Sequence, residues 1–313
     1  MRKIIKYFLI TVIVCLVTCL IVSLFFVRLI YKSFSENGNN FPPLITQFLE
    51  KFNRPKNTEP ILKPEETIKI LEGWTSRDIG QYFELNGLYQ SEQFLEAAGS
   101  PMVDYRKNKT MPAPHDFSAD YSFLKDKPTY RGLEGYLFPD TYRIYASSTV
   151  TEVIDKMLSN FDKKLTPKMR ADIAAQGKSI YEVITLASIV EKEAPIDYQT
   201  SDDHDARIIA GIFLNRLRSG QALQSDATIS YIYGDNQPAH SGAELAVNSP
   251  YNTYKYKGLP PGPICNPGIL AIEAAIYPIT TDYYYFLTPK GKSEVVYAKT
   301  YEEHLQNKNK YLK

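Results

Sequence analysis

The sequence predicts an α+β protein that follows a single N-terminal transmembrane helix, and three observations support this class. Residues 179–193 place apolar side chains at the three- and four-residue spacing of a buried helix face. Shorter stretches are typical of strands, because residues 66–70 alternate polar and apolar side chains and residues 283–288 are rich in tyrosine. Residues 7–27 carry no charged side chain. Helices and strands are therefore expected in one mixed structure that follows the long apolar segment along the chain.

The apolar segment at residues 7–27 has the length of a transmembrane helix. It contains 21 residues, and about 20 helical residues cross the hydrocarbon core of a bilayer. Arg2, Lys3 and Lys6 precede it, which favours a cytoplasmic N-terminus. A cleaved signal peptide is the main alternative, although the apolar region of such peptides is usually only about 7–15 residues long. A lipoprotein signal at residues 16–19 fits less well, because the apolar run continues past that cysteine.

The charge distribution argues against a nucleic-acid-binding protein. Five of the 36 basic residues lie in residues 1–32, which contain no acidic residue. The rest of the chain therefore has 31 basic against 35 acidic residues. Nucleic-acid binding requires a concentrated basic face, so we expect no nucleic-acid partner.

The cysteine and histidine residues indicate neither a disulfide framework nor a metal site. Cys15 and Cys19 belong to the N-terminal apolar run, which leaves Cys265 alone in the remaining chain. The four histidines are scattered and form no His-Glu-x-x-His pattern, so we predict no metal and no other cofactor. Cys265 has no neighbouring catalytic signature, and we interpret it as a buried thiol.

Composition and pattern divide the chain into four segments. Residues 1–32 form the cytoplasmic tip and the anchor, and residues 33–60 form a polar juxtamembrane linker rich in Asn, Gly and Pro. Residues 61–130 are predicted to contain a strand, two short helices and a following loop. Residues 131–313 contain most of the predicted helices and a pair of strands.

Capping residues predict where the helices begin. In residues 61–130, Thr75 or Ser76 is expected to cap the first helix and Ser91 the second, which ends at Gly99. Further helices are predicted over residues 149–161 (capped by Thr151 or Ser148), 167–176 (capped by Thr166), 179–193, 206–217, 228–233 and 301–312. Strands are predicted over residues 66–70, 283–288 and 293–298.

Two glutamates end the helix over residues 179–193, and their positions suggest an acid/base group. Glu191 lies four residues after Ala187 and seven after Ile184, at the edge of the apolar stripe. A carboxyl group held there is partly desolvated, which raises its pKa and allows it to donate a proton near neutral pH. Glu193 is rotated roughly 200° from Glu191 around the helix. The alternative is a helix end whose two carboxylates face water.

Further motifs occur on both sides of this helix. They are Leu133-Glu134-Gly135-Tyr136-Leu137-Phe138-Pro139-Asp140-Thr141-Tyr142, Asn215-Arg216-Leu217, Leu223-Gln224-Ser225-Asp226, Tyr251-Asn252-Thr253-Tyr254 and Gly258-Leu259-Pro260-Pro261-Gly262-Pro263-Ile264. With the helix at 179–193, this ordered set resembles the YceG/MltG-like endolytic murein transglycosylases, which are membrane-anchored enzymes that cut the glycan strands of peptidoglycan. The resemblance extends from about Ile68 to the C-terminus.

The resemblance implies an architecture and a reaction. Residues 61–130 would form a small LysM-like module with the loop that follows it, and residues 131–313 a mixed α/β catalytic domain. The enzyme would cleave the MurNAc–GlcNAc bond inside a strand without water and leave a 1,6-anhydro-MurNAc end, thereby limiting nascent strand length. In such lyases one carboxyl group protonates the glycosidic oxygen, and the C6 hydroxyl of the sugar attacks C1.

The resemblance also implies which residues act. It places the catalytic glutamate of the family at Glu191, with Glu193 as the second choice. It gives a substrate-binding or supporting role to Glu193, Glu134, Gln224, Asp226, Tyr251, Asn252, Thr253 and Tyr254. The tyrosines would stack on sugar rings, because their faces are apolar and their tips polar. The chain departs from the family pattern at Leu71 and Ala227, where the family usually has proline.

The anchor and the implied substrate together predict a location and partners. We expect a single-pass protein of the cytoplasmic (inner) membrane, with its N-terminus inside and its catalytic domain on the envelope side. The expected partners are peptidoglycan glycan strands, with a peptidoglycan synthase as a further candidate. Two alternatives stay open: a catalytically inactive, membrane-anchored glycan-binding scaffold, and a hydrolase that uses water in the same site.

Overall fold

The computed structural model describes residues 16–30, 32, 65–108, 110–235, 237, 240–289 and 294–312. The chain forms two compact units, Met1–Leu62 and Lys63–Lys313. In the first unit, residues 16–30 are helical. Among the described residues, no helix combines the length and the apolar character needed to cross a bilayer. Residues 7–15 of the predicted anchor and the predicted linker over residues 33–60 lie outside the described residues.

The second unit contains both helices and strands, which confirms the predicted α+β class. Its elements are, in chain order, β1 (Glu65–Lys69), α1 (Ser76–Leu85), α2 (Ser91–Ala98), a 3₁₀ turn (Ser122–Leu124), β2 (Thr141–Tyr145), α3 (Val150–Lys164), α4 (Pro167–Ala175), α5 (Ile180–Glu193), α6 (His204–Arg218), α7 (Asp226–Tyr233), α8 (Gly242–Leu245), α9 (Ile269–Ile276), β3 (Tyr285–Leu287), β4 (Val296–Ala298) and α10 (Tyr301–Tyr311). Every predicted helix and strand in this unit has a counterpart near its predicted bounds.

The described strands form two small antiparallel pairs, β1 with β2 and β3 with β4. Glu65 lies opposite Tyr145 and Lys69 opposite Thr141, so a strand before residue 130 pairs with a strand after it. Ile68 of β1 is buried in the core through the alternation of the strand. β2 has no counterpart among the predicted strands, because it directly follows a Pro-Asp pair that is typical of a turn.

Side-chain caps explain where several helices begin. Thr75 caps α1 as predicted, and its backbone N–H donates to the Asp78 carboxylate at 2.8 Å in a capping box. Thr166 caps α4 as predicted, and Ser179 caps α5 through the same box with Glu182. These hydroxyls satisfy backbone N–H groups that have no partner inside the helix.

Two predicted caps were wrong by one or two positions. Ser91 is the first helical residue of α2, and Gln90 occupies the capping position without a side-chain bond. Thr149 caps α3 in place of the predicted Thr151 or Ser148. The Thr149 backbone is extended and its hydroxyl accepts a bond from the third helical residue, whereas Thr151 already lies within the helix.

Helix α5 lies at the centre of the core. All eight residues from Val183 to Val190 are buried, so the helix is covered on all sides and not along one stripe. Helices α6 and α9 pack against it. α9 has no predicted counterpart, because Ile269–Ile276 is apolar around nearly its whole circumference and shows no helical period. This central helix carries both candidate glutamates on its last turn.

Candidate active site

The C-terminal end of α5 places Glu193 at a groove of about 420 Å³. Its Oε1 accepts a hydrogen bond from the Ser225 hydroxyl at 2.5 Å. Burial raises the pKa of the Glu193 carboxyl, and repulsion from Asp226 adds to the rise, whereas the Ser225 bond and the Arg216 charge oppose it. The carboxyl group therefore keeps its proton to higher pH than a glutamate in water.

Motif residues around the start of α7 share this groove with Glu193. Asp226, the first residue of α7, accepts a hydrogen bond from the Tyr254 hydroxyl at 2.8 Å. Gln224 has a backbone φ of 52°, in the left-handed region that residues other than glycine seldom occupy. Its N–H donates to the Thr253 carbonyl at 3.1 Å. The structure thus brings four predicted site residues, Glu193, Gln224, Asp226 and Tyr254, to one groove.

Arg216 of α6 also lines the groove, although the sequence assigned it no role. Its Nε donates to the Tyr284 carbonyl at 2.7 Å, and its Nη1 donates to the Leu223 carbonyl at 2.7 Å. The side chain is buried. Arg216 therefore joins the turn before α7 to the strand region at β3, and it adds a fixed positive charge beside Glu193.

The other three residues of the Tyr-Asn-Thr-Tyr motif are buried and bonded within the protein. Tyr251 is 3% exposed, and Asn252 Nδ2 donates to two backbone carbonyls at 2.9 and 2.8 Å. Thr253 Oγ1 accepts a hydrogen bond from the Ser225 N–H at 3.1 Å. These contacts hold the segment that carries Tyr254. Direct sugar contacts by Tyr251, Asn252 and Thr253 stay predictions.

Glu191 lies on the same last turn of α5 but is not part of the groove lining. Its Oε2 accepts hydrogen bonds from the Tyr198 hydroxyl at 2.5 Å and from the Gly268 N–H at 3.0 Å. Burial raises the pKa of Glu191, and Glu72 adds to the rise. A Cβ atom at Gly268 would overlap the Tyr198 hydroxyl group, so glycine permits this approach. Glu191 thereby joins the end of α5 to the start of α9.

Glu134 is a third carboxyl group with a raised pKa, and it also lies outside the groove lining. Its Oε1 accepts hydrogen bonds from the Ser76 N–H at 2.9 Å and Asn266 Nδ2 at 3.2 Å, and its Oε2 accepts one from the Tyr231 hydroxyl at 3.2 Å. Burial raises the pKa of Glu134 to about 7. The predicted site-lining carboxylate thus lies at a junction between α1, α7 and the segment before α9.

Asn266 completes this junction, and the sequence carried no signal for it. The residue is fully buried. Its Oδ1 accepts hydrogen bonds from the Gly135 N–H at 2.9 Å and the Leu137 N–H at 3.0 Å. Its Nδ2 donates to the Trp74 carbonyl at 2.9 Å as well as to Glu134. One side chain therefore connects three segments that are distant in sequence.

Another wall of the groove comes from β3 and α10. Tyr285 stacks on His304 with ring centroids 5.3 Å apart, and the Tyr301 ring lies 5.9 Å from the Tyr285 ring at a tilt. Lys308 also lines this wall. The tyrosine-rich strand was the one sequence signal for this side, because α10 has the composition of an ordinary surface helix.

The groove combines an acid/base group with hydrogen-bonding and aromatic side chains. A protonated Glu193 can donate to a leaving oxygen and later accept a proton. Asp226 and Gln224 offer hydrogen bonds, and Tyr285 and Tyr301 offer ring faces. The fold and groove thus define an α+β protein with an acid/base cleft suited to a polar ligand with flat faces, such as a sugar chain.

Comparison with known proteins gives the family. The chain belongs to the YceG-like family, whose model matches residues 44–310. It is 34% identical over 265 residues to an endolytic murein transglycosylase of Streptococcus pneumoniae, a match that covers 83% of this chain and 46% of that protein. It is 39% identical over 180 residues to a Bacillus subtilis protein of the same name, covering 58% and 48%.

The chain spans about half the length of these curated relatives. A crystal structure of a yceG-like protein from Listeria monocytogenes shares the fold, with a TM-score of 0.65 and 30% sequence identity. That similarity covers 84% of this chain and 80% of the other. These matches confirm the family that the motifs predict.

Proposed function

We propose that this protein is a membrane-anchored endolytic murein transglycosylase. It cleaves the MurNAc–GlcNAc bond inside peptidoglycan glycan strands and leaves 1,6-anhydro-MurNAc ends, which limits the length of nascent strands. The observation that carries the proposal is Glu193, a carboxyl group of raised pKa at a groove lined by polar and aromatic side chains. Membership of the YceG-like family and the names of the relatives support the same reaction.

Glu193 provides both proton transfers that this reaction needs. Its protonated carboxyl gives a proton to the glycosidic oxygen while the bond from that oxygen to C1 of MurNAc breaks. The C6 hydroxyl of the same MurNAc attacks C1 and closes the anhydro ring, and its proton passes to the Glu193 carboxylate. The carboxyl group ends protonated, as it began, and no water is consumed. A raised pKa suits this cycle, because the group must first act as an acid.

Assigning the reaction to Glu193 revises the choice of Glu191 that the family resemblance suggested. Both carboxyl groups are desolvated, so a raised pKa does not distinguish them. Position favours Glu193, which lines the groove beside Asp226. Glu191 accepts bonds from Tyr198 and Gly268, and we assign it to holding the end of α5 in place.

The other polar groove residues are assigned to binding. The bonded pair of Asp226 and Tyr254 presents a carboxylate next to Glu193, suited to hydroxyl or N-acetyl groups of a sugar. Gln224 is exposed in the same groove and offers both a donor and an acceptor. Glu134 is assigned to the buried junction around Asn266 and not to substrate.

The proposal also covers the location and the partners of the protein, which the sequence supports. Residues 7–27 form a single span of the cytoplasmic membrane, the N-terminus lies inside, and the catalytic unit acts on the envelope side. Residues 61–130 include a LysM-like module that contacts glycan. A peptidoglycan synthase is the proposed protein partner, because cleavage of nascent strands takes place where strands are made.

The products of the reaction test the catalytic proposal. The full chain in detergent is incubated with uncrosslinked peptidoglycan strands beside Glu193→Gln and Glu191→Gln variants, and new strand ends are identified by mass spectrometry. We expect anhydro-MurNAc ends from the unchanged protein and a loss of about 100-fold or more with Glu193→Gln, because the acid/base group is removed. Glu191→Gln is expected to keep measurable activity.

The other outcomes point elsewhere. Reducing ends would mean that water attacks, and the protein would be a hydrolase. An absence of new ends with strands still retained would favour the glycan-binding scaffold. An active Glu193→Gln protein beside an inactive Glu191→Gln protein would return the acid/base role to Glu191.

A further inference from the structure

Lys308 is an exposed cation on the α10 wall of the groove. Within the described part of the chain, no carboxylate oxygen lies within 4.0 Å of its Nζ. Its charge nevertheless acts on the groove, because Lys308 and Arg216 add to the burial that lowers the pKa of His304. A positive charge is thus held at the groove without a protein partner among the described residues.

The second cation of the groove is already engaged by the protein. Arg216 is buried, and its Nε and Nη1 donate to the carbonyls of Tyr284 and Leu223. Glu193 and Asp226 are the carboxyl groups among the described lining residues. Because a protonated Glu193 is neutral, a ligand with a negative group would be repelled by Asp226 and attracted by Lys308, so the charges of the groove favour one orientation of an anionic ligand.

The surroundings of Lys308 suit a sugar that carries the negative group. Tyr285, Tyr301 and His304 form a cluster of rings on the same wall, and Tyr301 is 54% exposed. Aromatic faces and a neighbouring ammonium group together match a sugar ring with a carboxylate substituent.

We propose that Lys308 is a specificity-determining residue that binds a carboxylate on the muramic acid units of the glycan strand. The identity of this ligand rests on the proposed function. Each MurNAc carries a lactyl group, whose carboxyl is either free or joined by an amide bond to a peptide stem with carboxylates of its own. GlcNAc has no such group. Lys308 therefore selects strands that contain muramic acid and sets which sugar lies over α10.

Lys310 provides a matched control on the same helix. It lies two residues after Lys308 and therefore points about 200° away around α10. Its Nζ lies 4.7 Å from the centre of the Tyr311 ring, and it is not part of the groove lining. Replacing either lysine with alanine removes the same charge from the same helix, so only the position relative to the groove differs.

The experiment measures binding, so that it does not depend on cleavage. The full chain with Glu193→Gln, alone or with Lys308→Ala or Lys310→Ala, is titrated with three probes. These are glycan strands with peptide stems, strands stripped of stems that carry free lactyl carboxylates, and the neutral GlcNAc oligomer chitohexaose. We expect Lys308→Ala to weaken binding of a charged strand about three- to fivefold, as the loss of one exposed charge contact does.

The same variant should leave chitohexaose affinity unchanged, and Lys310→Ala should change neither affinity. The charged strand whose binding is weakened shows whether the carboxylate belongs to the peptide stem or to the lactyl group. Equal affinities of the Lys308→Ala and Lys310→Ala proteins for both charged strands would overturn the proposal, as would an equal loss on chitohexaose or no strand binding by the parent. A different result would separate the two proposals: strand binding that depends on Lys308, together with an unchanged protein that makes no new strand ends. The lyase proposal would then be rejected, and the inference about Lys308 would stand.

Discussion

Burial raises the pKa of all three glutamates that the sequence marked as candidate site residues. For Glu134, Glu191 and Glu193 the largest cause of the raised pKa is desolvation, and hydrogen bonds to the ionised form oppose it. Only Glu193 lines the groove. At the residue scale, a raised pKa therefore marks a desolvated carboxyl, and its position decides whether that group can reach a ligand.

Glu134 should make stability depend on pH. Its native pKa of about 7 exceeds the ordinary 4.5, so the folded state holds the proton more tightly than the unfolded state. The free energy of unfolding should therefore fall as pH rises from about 4.5 to 7, on the order of 3 kcal/mol from this group. Glu134→Gln cannot ionise, so the variant should gain stability relative to the parent over this range.

Urea unfolding of both proteins at several pH values between 4.5 and 8 measures this difference. The pH effects of Glu191 and Glu193 are common to both proteins and cancel in the comparison. A difference in unfolding free energy that stays constant with pH would show that Glu134 titrates normally in the folded protein.

Buried hydrogen bonds between loops hold the elements in register. Asn266 joins the turn before α1, the loop before β2 and the segment before α9. Its backbone adds two bonds, from its own N–H to the Trp74 carbonyl at 2.8 Å and from the Gly73 N–H to its carbonyl at 3.0 Å. At the element scale, the position of α9 thus depends on an amide side chain as well as on apolar packing.

Asn266→Ala should destabilise the protein by about 3 kcal/mol. The change leaves the Gly135 and Leu137 N–H groups without their acceptor, and each unsatisfied buried group costs about 1–3 kcal/mol. Asn86→Ala is the matched control, because Asn86 is exposed and its Nδ2 makes one bond to the Tyr82 carbonyl. In denaturant unfolding, the free energy of unfolding of the Asn86 variant should fall by less than about 1 kcal/mol. Equal losses of unfolding free energy in both variants would contradict this account.

Several contacts join residues 65–130 to the rest of the second unit. β1 pairs with β2 along its length, and Ser76 and Trp74 bond to Glu134 and Asn266. The predicted domain boundary at residue 130 stays a prediction. At the scale of the whole molecule, these contacts suggest that the two sides fold as one cooperative unit.

A fragment of residues 131–313 should therefore fail to fold cooperatively. It lacks β1, so the β2 backbone loses its partners, and the junction around Asn266 loses the Trp74 carbonyl. Thermal unfolding followed by circular dichroism should give one sharp transition for residues 63–313 and a broad, shallow change for 131–313. A sharp transition in the shorter fragment would establish an independent domain there.

Periodicity predicts most helices and strands of this chain, and its limits have physical causes. Ile269–Ile276 shows no helical period because it is buried nearly all round. For the same reason the apolar stripe of α5 does not show which glutamate is desolvated, because residues 183–190 are buried on every side of the helix. Residues of α7 and α10 line the groove together with Glu193, whereas the hydrogen-bond partners of Glu191 are Tyr198 and Gly268. Contacts of this range are not visible in a local pattern.

Gln224 lines the groove with its backbone in the left-handed region. A side chain in that region costs about 1 kcal/mol or more relative to glycine, which adopts it without strain. Glycine at this position would make the turn before α7 more stable, yet it would remove the amide from the groove. With the binding role proposed for Gln224, the stability of the turn and the binding of a ligand favour different amino acids at this position. Screening variants of this protein for heat stability alone would be expected to favour substitutions at this position that remove the amide from the groove.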